Sequence, residues 1–584
     1  MTDKFSDEFL GEVGAVLKRF SNLKDLNKFL ENKTGIIDFF ESSEKFKEFN
    51  QFLDDFHIPN DTNKDLGDFQ TPSNLTDKIC KYLINTGLMP DAIVEPTCGE
   101  GNFIISAIKF FPSLKYIYCV ENQYKYEWFF KLNILKFSFN QKINTRIEFH
   151  RDNIFKHQFS DAFIKFLDID SRTLLILGNP PWVTSSDLSA LNSNNLPPKT
   201  NIKRYRGIEA ITGKSNFDIA EYIILQMIQR FSGRMGKIAM LCKTSVSRNI
   251  IRSMAKLSLK ISNIKELLID ARKEFNISTD AGLFVADLNP HGETFCVVSS
   301  LYRPNVQQKK YGWKYNKFVS DVDLYNKYGY LDGKSSLEWR HGIKHDASKV
   351  MILKITDGSL MNSIGEHIEV EEDLLYPFVR GSELKVPVIT KANSKIIITQ
   401  KKPNEDTNYI AQKYPKLWNY LISHSEYFDK RKSRIYKRRF SIFGIGEYSF
   451  KPYKVAIAGL YKEPTFSLIL PINNKPVIPD DTCYYLSFVS LSSAFFIWIL
   501  LNTDAVKHFL SSIVFLDSKR PYTKEVLMRL DMLKLMEKIS FDTILNVYKT
   551  KIEKSFEYDF TKADFLKFKD FLKRGGGNNA QYFA

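Results

Sequence analysis

The sequence predicts an α/β fold built on a doubly wound, mostly parallel sheet, followed by an α+β domain towards the carboxyl end. Between about residues 66 and 300, short β-rich runs alternate with amphipathic helical stretches, which is the pattern of successive βαβ units. The predicted strands are residues 92–95, 116–120, 145–149, 173–177 and 237–242. Apolar residues at helical spacing predict helices at residues 73–85 and 219–230.

The segments on either side of this region have a different character. Phe5, Phe9, Val13 and Leu17 recur at helical spacing, so we expect residues 1–60 to form an N-terminal helical extension. After residue 300 the alternation gives way to charged, aromatic and irregular sequence. We therefore predict one domain over 61–300 and a second over 301–584, ending in a flexible tail rich in glycine and asparagine.

Composition limits the kind of protein and the compartment. The 83 lysines and arginines exceed the 67 acidic residues and give a net charge of +16, which favours a polyanionic partner. The six cysteines are widely spaced and include no C-x-x-C pair, so we expect free thiols and no metal site. The longest apolar run, residues 494–501, is shorter than the roughly 20 residues of a membrane span. We expect a cytoplasmic protein with no membrane contact.

The first chemical motif is a glycine turn between a predicted strand and a helix. Gly99 and Gly101 follow the strand at 92–95, where glycine allows a ligand close to the backbone and the helix provides unpaired N–H groups. Glu121 ends the next strand, and an acidic residue there can accept hydrogen bonds from both ribose hydroxyls of a nucleoside. Ile104 replaces the third glycine of the dinucleotide fingerprint, which disfavours NAD against a cofactor that has no pyrophosphate.

Asp152 follows the strand predicted at residues 145–149. Its carboxylate can accept a hydrogen bond from an adenine amino group, although an isolated aspartate in this position is more often a helix cap or a turn residue. Its place in series with Gly99, Gly101 and Glu121 favours a role in binding the cofactor.

The most specific motif is Asn179-Pro180-Pro181-Trp182, directly after the strand at 173–177. Two prolines fix a rigid loop at the carboxyl end of a strand, where open α/β sheets bind their ligands. The Asn179 side-chain oxygen and the Pro180 carbonyl can hold an exocyclic amine and localise its lone pair, while Trp182 can stack on a base that has left the duplex. The plainer alternative is a proline-rich loop with a core tryptophan.

Together these motifs resemble the gamma-class DNA adenine-N6 methyltransferases of bacterial restriction–modification systems. The resemblance covers about residues 66–290 and adds Asp68-Phe69-Gln70-Thr71-Pro72, which looks like the motif that approaches the methionine carboxylate. It implies the class I methyltransferase fold, S-adenosylmethionine as cofactor and a C-terminal target-recognition domain. The implied cofactor contacts are Thr71, Glu95, Thr97, Gly99, Gly101, Glu121, Asp152 and Asn179. The implied catalytic residues are Asn179, Pro180, Pro181 and Trp182.

The sequence departs from the family pattern at two places. Thr97-Cys98 precede Gly99 where the family usually has small residues. Trp182 replaces the more common tyrosine and also occurs in cytosine-N4 enzymes, but those usually open the motif with serine, so Asn179 favours adenine. Residues 215–220 and 236–239 fit later motifs of the family loosely.

Two groups of residues are candidates for contacts with the substrate. Phe275 aligns by order with an aromatic residue that stacks on the flipped base from the other side, and it fits a core phenylalanine equally well. Residues 430–439 carry seven basic side chains and no acidic one. Beside a base-modifying domain, Lys437, Arg438 and Arg439 are expected to contact DNA phosphates, the alternative being a solvated basic face.

We expect a monomeric enzyme that methylates adenine N6 at a specific site in double-stranded DNA by base flipping, with a separate cognate endonuclease. One alternative is an RNA or protein-glutamine methyltransferase, because both use an Asn-Pro-Pro-aromatic loop. Another is a non-catalytic DNA-binding subunit, although such a subunit need not retain Glu121, Asp152 and Asn179. A fused nuclease is disfavoured, since about 60 residues precede the motifs and a domain of that kind needs on the order of 100.

Overall fold

The computed structural model describes residues 5–54, 69–169, 171–184, 218–552, 554 and 556–574. The chain divides into two compact units, residues 1–318 and 319–584. This division lies beyond the predicted boundary at residue 300, because two further strands extend the sheet of the first unit after that point. Asp68, residues 215–217 and the predicted flexible tail at 575–584 lie outside the described residues.

Among the described residues, ten strands form one sheet in the order β10-β9-β8-β6-β7-β5-β4-β1-β2-β3. Their bounds are β1 (Ala92–Glu95), β2 (Tyr116–Glu121), β3 (Arg146–Arg151), β4 (Leu174–Gly178), β5 (Gly236–Lys243), β6 (Ser262–Ile269), β7 (Ala281–Asp287), β8 (Cys296–Ser300), β9 (Lys309–Lys314) and β10 (Lys317–Val319). Strands β3, β2, β1, β4 and β5 run parallel, and β7 is antiparallel to both of its neighbours. The predicted doubly wound, mostly parallel sheet is confirmed.

Helices connect and cover these strands. Their bounds are α1 (Asp7–Leu17), α2 (Leu23–Thr34), α3 (Ser43–Asp54), α4 (Ser73–Asn85), α5 (Asn102–Phe110), α6 (Tyr124–Asn140), α7 (Asp161–Leu167), α8 (Ile219–Phe231), α9 (Thr244–Leu257) and α10 (Ala271–Phe275). Strands β1, β2 and β4 are buried along their whole length, as expected for parallel strands covered on both faces. The predicted helix at 73–85 is α4, and the one at 219–230 is α8.

The N-terminal helices pack on the sheet unit. Phe49 of α3 is fully buried and lies 5.2 Å from Trp128 of α6, measured between ring centroids. Phe5 stacks on Phe129 at 6.3 Å, and the segment after α2 forms a parallel bridge from Ile36 to Ile147 in β3. The extension predicted from helical spacing is therefore also a cover for α6 and for the edge of the sheet, which its own periodicity did not indicate.

The second unit contains two five-stranded sheets, in the orders β11-β20-β17-β18-β15 and β13-β12-β16-β14-β19, among its described residues. Its strands are β11 (Arg340–His341), β12 (Ile352–Thr356), β13 (Ser359–Met361), β14 (Leu375–Val379), β15 (Val388–Ile389), β16 (Ser394–Ile397), β17 (Tyr453–Ala458), β18 (Phe466–Ile469), β19 (Ile478–Pro479) and β20 (Cys483–Phe488). Its α-helices are α11 (Val322–Tyr328), α12 (Ser348–Met351), α13 (Tyr409–Lys413), α14 (Pro415–Ser423), α15 (Ser425–Asp429), α16 (Leu491–Leu501), α17 (Asp504–Ile513), α18 (Lys524–Leu527), α19 (Met532–Lys538), α20 (Phe541–Val547) and α21 (Lys562–Lys573).

Two expectations from composition can be compared with these elements. All six cysteines are free and buried, as predicted. Within the described ranges, no helix combines the length and the apolar character that crossing a bilayer requires. Helix α16 is the most apolar one, and it is buried on nearly every face within the second unit, as is typical of a helix that is hydrophobic all round.

Removing the Phe49 ring tests the packing of the N-terminal helices. We expect Phe49→Ala to lower the free energy of unfolding by about 3–5 kcal/mol, because it leaves a cavity beside Trp128. Phe139→Ala is the matched control: Phe139 is 42% exposed and makes an edge contact with Phe9, so its removal should cost about 1 kcal/mol. Equal losses in denaturant titrations would contradict this packing.

Candidate active site

A cleft opens at the carboxyl ends of β1, β2, β3 and β4. It encloses about 790 Å³, part of it open to solvent. The predicted site residues that line it are Thr71, Glu95, Thr97, Gly99, Glu121, Asp152, Asn179 and Pro181. The structure thus brings together side chains from loops that are far apart in sequence, because parallel strands end at the same edge of a sheet.

The glycine turn is held by side chains that the motif did not identify. Gly99 has a φ of +50°, and a Cβ there would lie 2.5 Å from Gln70 Oε1, which also accepts a hydrogen bond from the Glu100 N–H. Gly101 has a φ of +83° at the start of α5, and a Cβ there would lie 2.7 Å from the Phe130 ring. Gly101 is absent from the cleft wall, so its glycine is required by backbone conformation and packing.

The carboxylate of Glu121 is held by backbone groups. Its Oε2 accepts from the Gly99 N–H at 2.9 Å and its Oε1 from the Gln123 N–H at 2.7 Å. These two bonds fix the orientation of the carboxylate at the wall of the cleft.

Glu95 has the opposite environment. Its side chain is buried, and its Oε2 has no hydrogen-bond partner within the described part of the chain. Burial, with the nearby Cys119 and Glu121, raises the pKa of Glu95 well above its usual value. A ligand cation in the cleft would compensate this carboxylate. Thr97 Oγ1 is likewise buried without a partner among the described residues.

The Asp152 carboxylate accepts two hydrogen bonds. Its Oδ2 lies 2.8 Å from His157 Nδ1, and its Oδ1 accepts from the Asn153 N–H at 2.7 Å. Partial burial opposes ionisation, but the bonds from His157 and Asn153 outweigh it and lower the pKa of Asp152. Asp152 is therefore an ionised acceptor at the wall of the cleft.

The orientation of the Asn179 amide follows from its contacts. Its Nδ2 donates to the Phe69 carbonyl at 3.0 Å and to Thr71 Oγ1 at 3.2 Å. Since a carbonyl oxygen only accepts, the amide cannot be flipped without placing two acceptors against each other. Asn179 Oδ1 is consequently directed away from these partners, and it is buried with none of its own among the described residues. The cleft thus contains a fixed, unused acceptor.

Three aromatic rings lie together beside this amide. The ring centroids of Trp182 and Phe275 are 5.3 Å apart, and Phe69 lies 6.0 Å from Trp182 and 6.1 Å from Phe275. Trp182 and Phe275, 5% and 8% exposed, pack against each other edge to face. The structure therefore places Phe275 against the Asn-Pro-Pro-Trp loop, and its burial also fits the alternative of a core phenylalanine. Phe69 was missed as a site residue, although it belongs to the segment Asp68-Phe69-Gln70-Thr71-Pro72 that the resemblance identified.

The basic side chains at residues 430–439 of the second unit differ in their surroundings. The Arg431 guanidinium is directed inward and donates to the carbonyl groups of His345 and Ser441 at 3.2 and 2.8 Å. Arg439 forms an ion pair with Asp429, and Arg438 lies 3.6 Å from Asp406.

Lys430 pairs with Glu426 at 2.7 Å, and the other three cations of the run are open to solvent. Lys432, Arg434 and Lys437 are exposed, and no ion pair to them occurs among the described residues. Of the three residues predicted to contact DNA, Lys437 is therefore available, while Arg438 and Arg439 must exchange an acidic partner for phosphate.

A doubly wound sheet, a glycine turn leading to α5 and acidic residues at the end of β2 and after β3 are typical of the class I methyltransferases, and an Asn-Pro-Pro-Trp loop follows β4 in this chain. The profile of the N-6 DNA methylase family matches residues 47–271. The type II methyltransferase M.NspV of Nostoc sp. (strain ATCC 29411 / PCC 7524) is 39% identical over 487 residues, covering 82% of this chain and 98% of that protein. The chain belongs to this family of restriction–modification DNA methyltransferases, which use S-adenosylmethionine.

Solved structures resemble the chain more distantly. A type I restriction-modification methyltransferase subunit from Streptococcus thermophilus is 12% identical with a TM-score of 0.28, over 50% of this chain and 67% of that one. TrmK of M. capricolum, in complex with S-adenosylhomocysteine, is 14% identical with a TM-score of 0.22, over 38% of this chain and 72% of that one.

Two glycines with nearly equal φ values allow the packing role of Gly101 to be measured. Gly87, at +84°, has nothing within 4 Å of an added Cβ, so Gly87→Ala should cost only the left-handed backbone conformation, about 1–2 kcal/mol. Gly101→Ala should cost about 1–3 kcal/mol more, because the Cβ meets Phe130. Phe130→Leu should recover part of that difference. Equal unfolding free energies for the two alanine variants would remove Phe130 from the explanation.

Proposed function

We propose that the protein methylates N6 of adenine at a specific site in double-stranded DNA, as the modification enzyme of a restriction–modification system. The observation that carries this proposal is the Asn179 amide, whose Nδ2 is occupied by Phe69 and Thr71 and whose Oδ1 remains an acceptor. An exocyclic amine offers the N–H group that this oxygen lacks. Family membership favours DNA over RNA or a protein glutamine, and the complete set of site residues disfavours a non-catalytic subunit.

Adenine N6 is a poor nucleophile because its lone pair is delocalised into the ring. Two acceptors, Asn179 Oδ1 and the Pro180 carbonyl, would hold its two hydrogens and direct the lone pair towards the cleft. S-adenosylmethionine supplies an electrophilic methyl group when it is bound. The amide does not take up a proton near neutral pH, so Asn179 acts by hydrogen bonding and orientation, and the stiff Pro180-Pro181 backbone keeps that orientation.

The side chains that line the cleft fit the parts of this cofactor. Glu121, at the carboxyl end of β2, would accept the ribose hydroxyls, and Asp152 would accept the adenine amino group. The buried, unpaired Glu95 Oε2 suits the methionine ammonium group, and the Thr71 hydroxyl, which accepts from Asn179, can donate its own hydrogen to the methionine carboxylate. Thr97 Oγ1 is a further polar group at the same wall.

The target base must leave the duplex to reach Asn179, because its amine is paired inside the helix. Trp182, Phe275 and Phe69 provide aromatic faces next to the amide for an unstacked base. Since Trp182 and Phe275 now contact each other, base entry would replace ring–ring contacts with ring–base contacts. A monomeric enzyme, a cytoplasmic location and a separate cognate endonuclease remain predictions.

Asn179→Ala tests the catalytic assignment. It should abolish methyl transfer, because the amine loses its fixed acceptor, while the affinity for S-adenosylhomocysteine stays within a few fold. Calorimetry for binding and tritiated methyl transfer to duplex DNA measure the two properties separately. A variant that turns over at nearly the normal rate would exclude Asn179 as the residue that holds the amine.

The exposed basic side chains of residues 430–439 are proposed to contact DNA phosphates. Lys432, Arg434 and Lys437 are the candidates that no acidic side chain among the described residues occupies, and Arg438 and Arg439 would join them by leaving Asp406 and Asp429. Surface ion pairs of this kind contribute little and are readily exchanged. Arg431 is excluded from this role because carbonyl groups occupy its guanidinium.

Replacing Lys432, Arg434 and Lys437 together by glutamine should weaken binding to cognate and random duplexes alike. The slope of log affinity against log salt should fall by about 0.9 for each phosphate group that is no longer neutralised. The matched control is the triple glutamine variant of Lys562, Lys567 and Lys573, which removes the same charge from α21. A weakening restricted to the cognate duplex would indicate base readout, and no difference from the control would leave the run a solvated face.

A further inference from the structure

Behind Asp152 lies a chain of buried polar side chains that the proposed mechanism does not use. His157 bonds Asp152 Oδ2 through Nδ1 at 2.8 Å and the Tyr118 hydroxyl through Nε2 at 2.8 Å. The Tyr118 hydroxyl in turn accepts from the Ser160 N–H at 3.1 Å. His157 is 7% exposed and Tyr118 is fully buried, so water does not compete for the bond between these two side chains, whereas the Asp152 carboxylate itself is about half exposed to the cleft.

The direction of every hydrogen bond in this chain is fixed. Burial is the main cause that lowers the pKa of His157, so its ring is neutral and carries one N–H. Burial also raises the pKa of Tyr118 to about 12, so its hydroxyl keeps its hydrogen. The Asp152 carboxylate can only accept, which places the imidazole hydrogen on Nδ1 and leaves Nε2 to accept from Tyr118.

We propose that His157 is a positioning residue that orients the Asp152 carboxylate to select a cofactor with a 6-amino group. With Oδ2 held by His157 and Oδ1 by the Asn153 N–H, the carboxylate cannot rotate, and its remaining lone pairs are presented at the wall of the cleft. An amino group there donates to them, whereas a purine that lacks the group leaves an ionised acceptor unmatched. The Tyr118 hydroxyl keeps the imidazole in the tautomer that this requires.

The inference rests on the proposed function, because it takes Asp152 to be the acceptor of the cofactor's adenine. It assigns His157 no contact with the cofactor or with the reacting atoms. Its effect should consequently appear in the choice between two ligands. If His157 had a purely structural role, replacing it would weaken the binding of both ligands alike. If it orients Asp152, replacing it changes the ratio of the two affinities.

The experiment measures the dissociation constants of S-adenosylhomocysteine and of its 6-deamino analogue, in which purine replaces adenine. The unmodified protein should prefer the adenine compound by about tenfold or more, as expected for a hydrogen bond to an ionised acceptor. His157→Phe should reduce the preference to within about threefold, chiefly by weakening the adenine compound. His157→Asn should retain most of it, because the asparagine Nδ2 can replace the imidazole Nδ1 as donor.

The matched control is His150→Phe. His150 stacks on the same Tyr118 ring at 4.6 Å between centroids, but its own hydrogen bond goes to Glu148, so the preference should remain at the level of the unmodified protein. Thermal unfolding of each variant accompanies the binding data. Should His157→Phe fail to fold, His157→Asn against His157→Gln gives the same test, since the glutamine amide matches the Nε2 position and should lose the preference.

Two outcomes distinguish this inference from the proposed function. If Asp152→Asn loses the preference for the 6-amino compound while the His157→Phe or His157→Gln variant keeps it, Asp152 is the acceptor and His157 does not position it. If Asp152→Asn also keeps the full preference, Asp152 is not the adenine acceptor and the assignment of the cofactor site itself is wrong.

Discussion

The common edge at which parallel strands end is the constraint on which the site depends. Strand β1 lies between β2 and β4, and β3 lies next to β2, all in parallel register. The residues at or just after their carboxyl ends are Glu95, Glu121, Asp152 and Asn179, which therefore share one cleft although the chain separates them widely. No side chain has to cross the sheet to meet another. Across the sheet these residues follow the strand order β4-β1-β2-β3 and not their order along the chain.

This constraint explains how much of the site the sequence could predict. Strand β1 and helix α4 occur at the predicted bounds, β2 is one residue longer than predicted and β4 is shifted by one residue, because wholly buried strands and amphipathic helices have strong local patterns. The residues that support the site have no such pattern. Phe130 and His157 act through contacts with residues distant in the chain, and neither their spacing nor their type distinguishes them from ordinary core positions. Gln70 belongs to a motif that the resemblance identified, but its contact with the glycine turn depends on the fold.

Less of the second unit than of the first could be predicted from the sequence. Its strands are short, many of them pair with strands distant in the chain, and irregular segments lie between them. Only the α+β class and a change of sequence character could therefore be predicted there. The sequence shows seven basic residues at 430–439. It does not show which of them pair with neighbouring groups and which face solvent. Arg431 holds the loop through carbonyl groups, Arg439 pairs with Asp429, and Lys437 faces solvent. Charge counts give the sign of a surface, whereas the partners of each cation depend on how the loop folds back on α15.

The segment at residues 69–71 connects the two halves of the site. Gln70 accepts from the Glu100 N–H, and the Thr71 carbonyl accepts from Asn102 Nδ2, which fixes this segment to the glycine turn. The Phe69 carbonyl and the Thr71 hydroxyl hold the Asn179 amide. One short stretch of backbone thus sets both the wall of the cleft and the orientation of Asn179 Oδ1.

Residues 69–71 contact both the glycine turn and the Asn179 amide. We expect a ligand that restricts the glycine turn to restrict the segment that holds Asn179 as well, because hydrogen bonds join the two. In the proposed reaction, the position of the target amine would then depend on whether the cofactor is bound. The coupling is reciprocal, since any group that fixes Asn179 also stabilises the turn. Pro180 and Pro181, which follow Asn179, restrict the backbone conformations of the loop. We therefore expect the effect of a ligand on Asn179 to stay within the cleft.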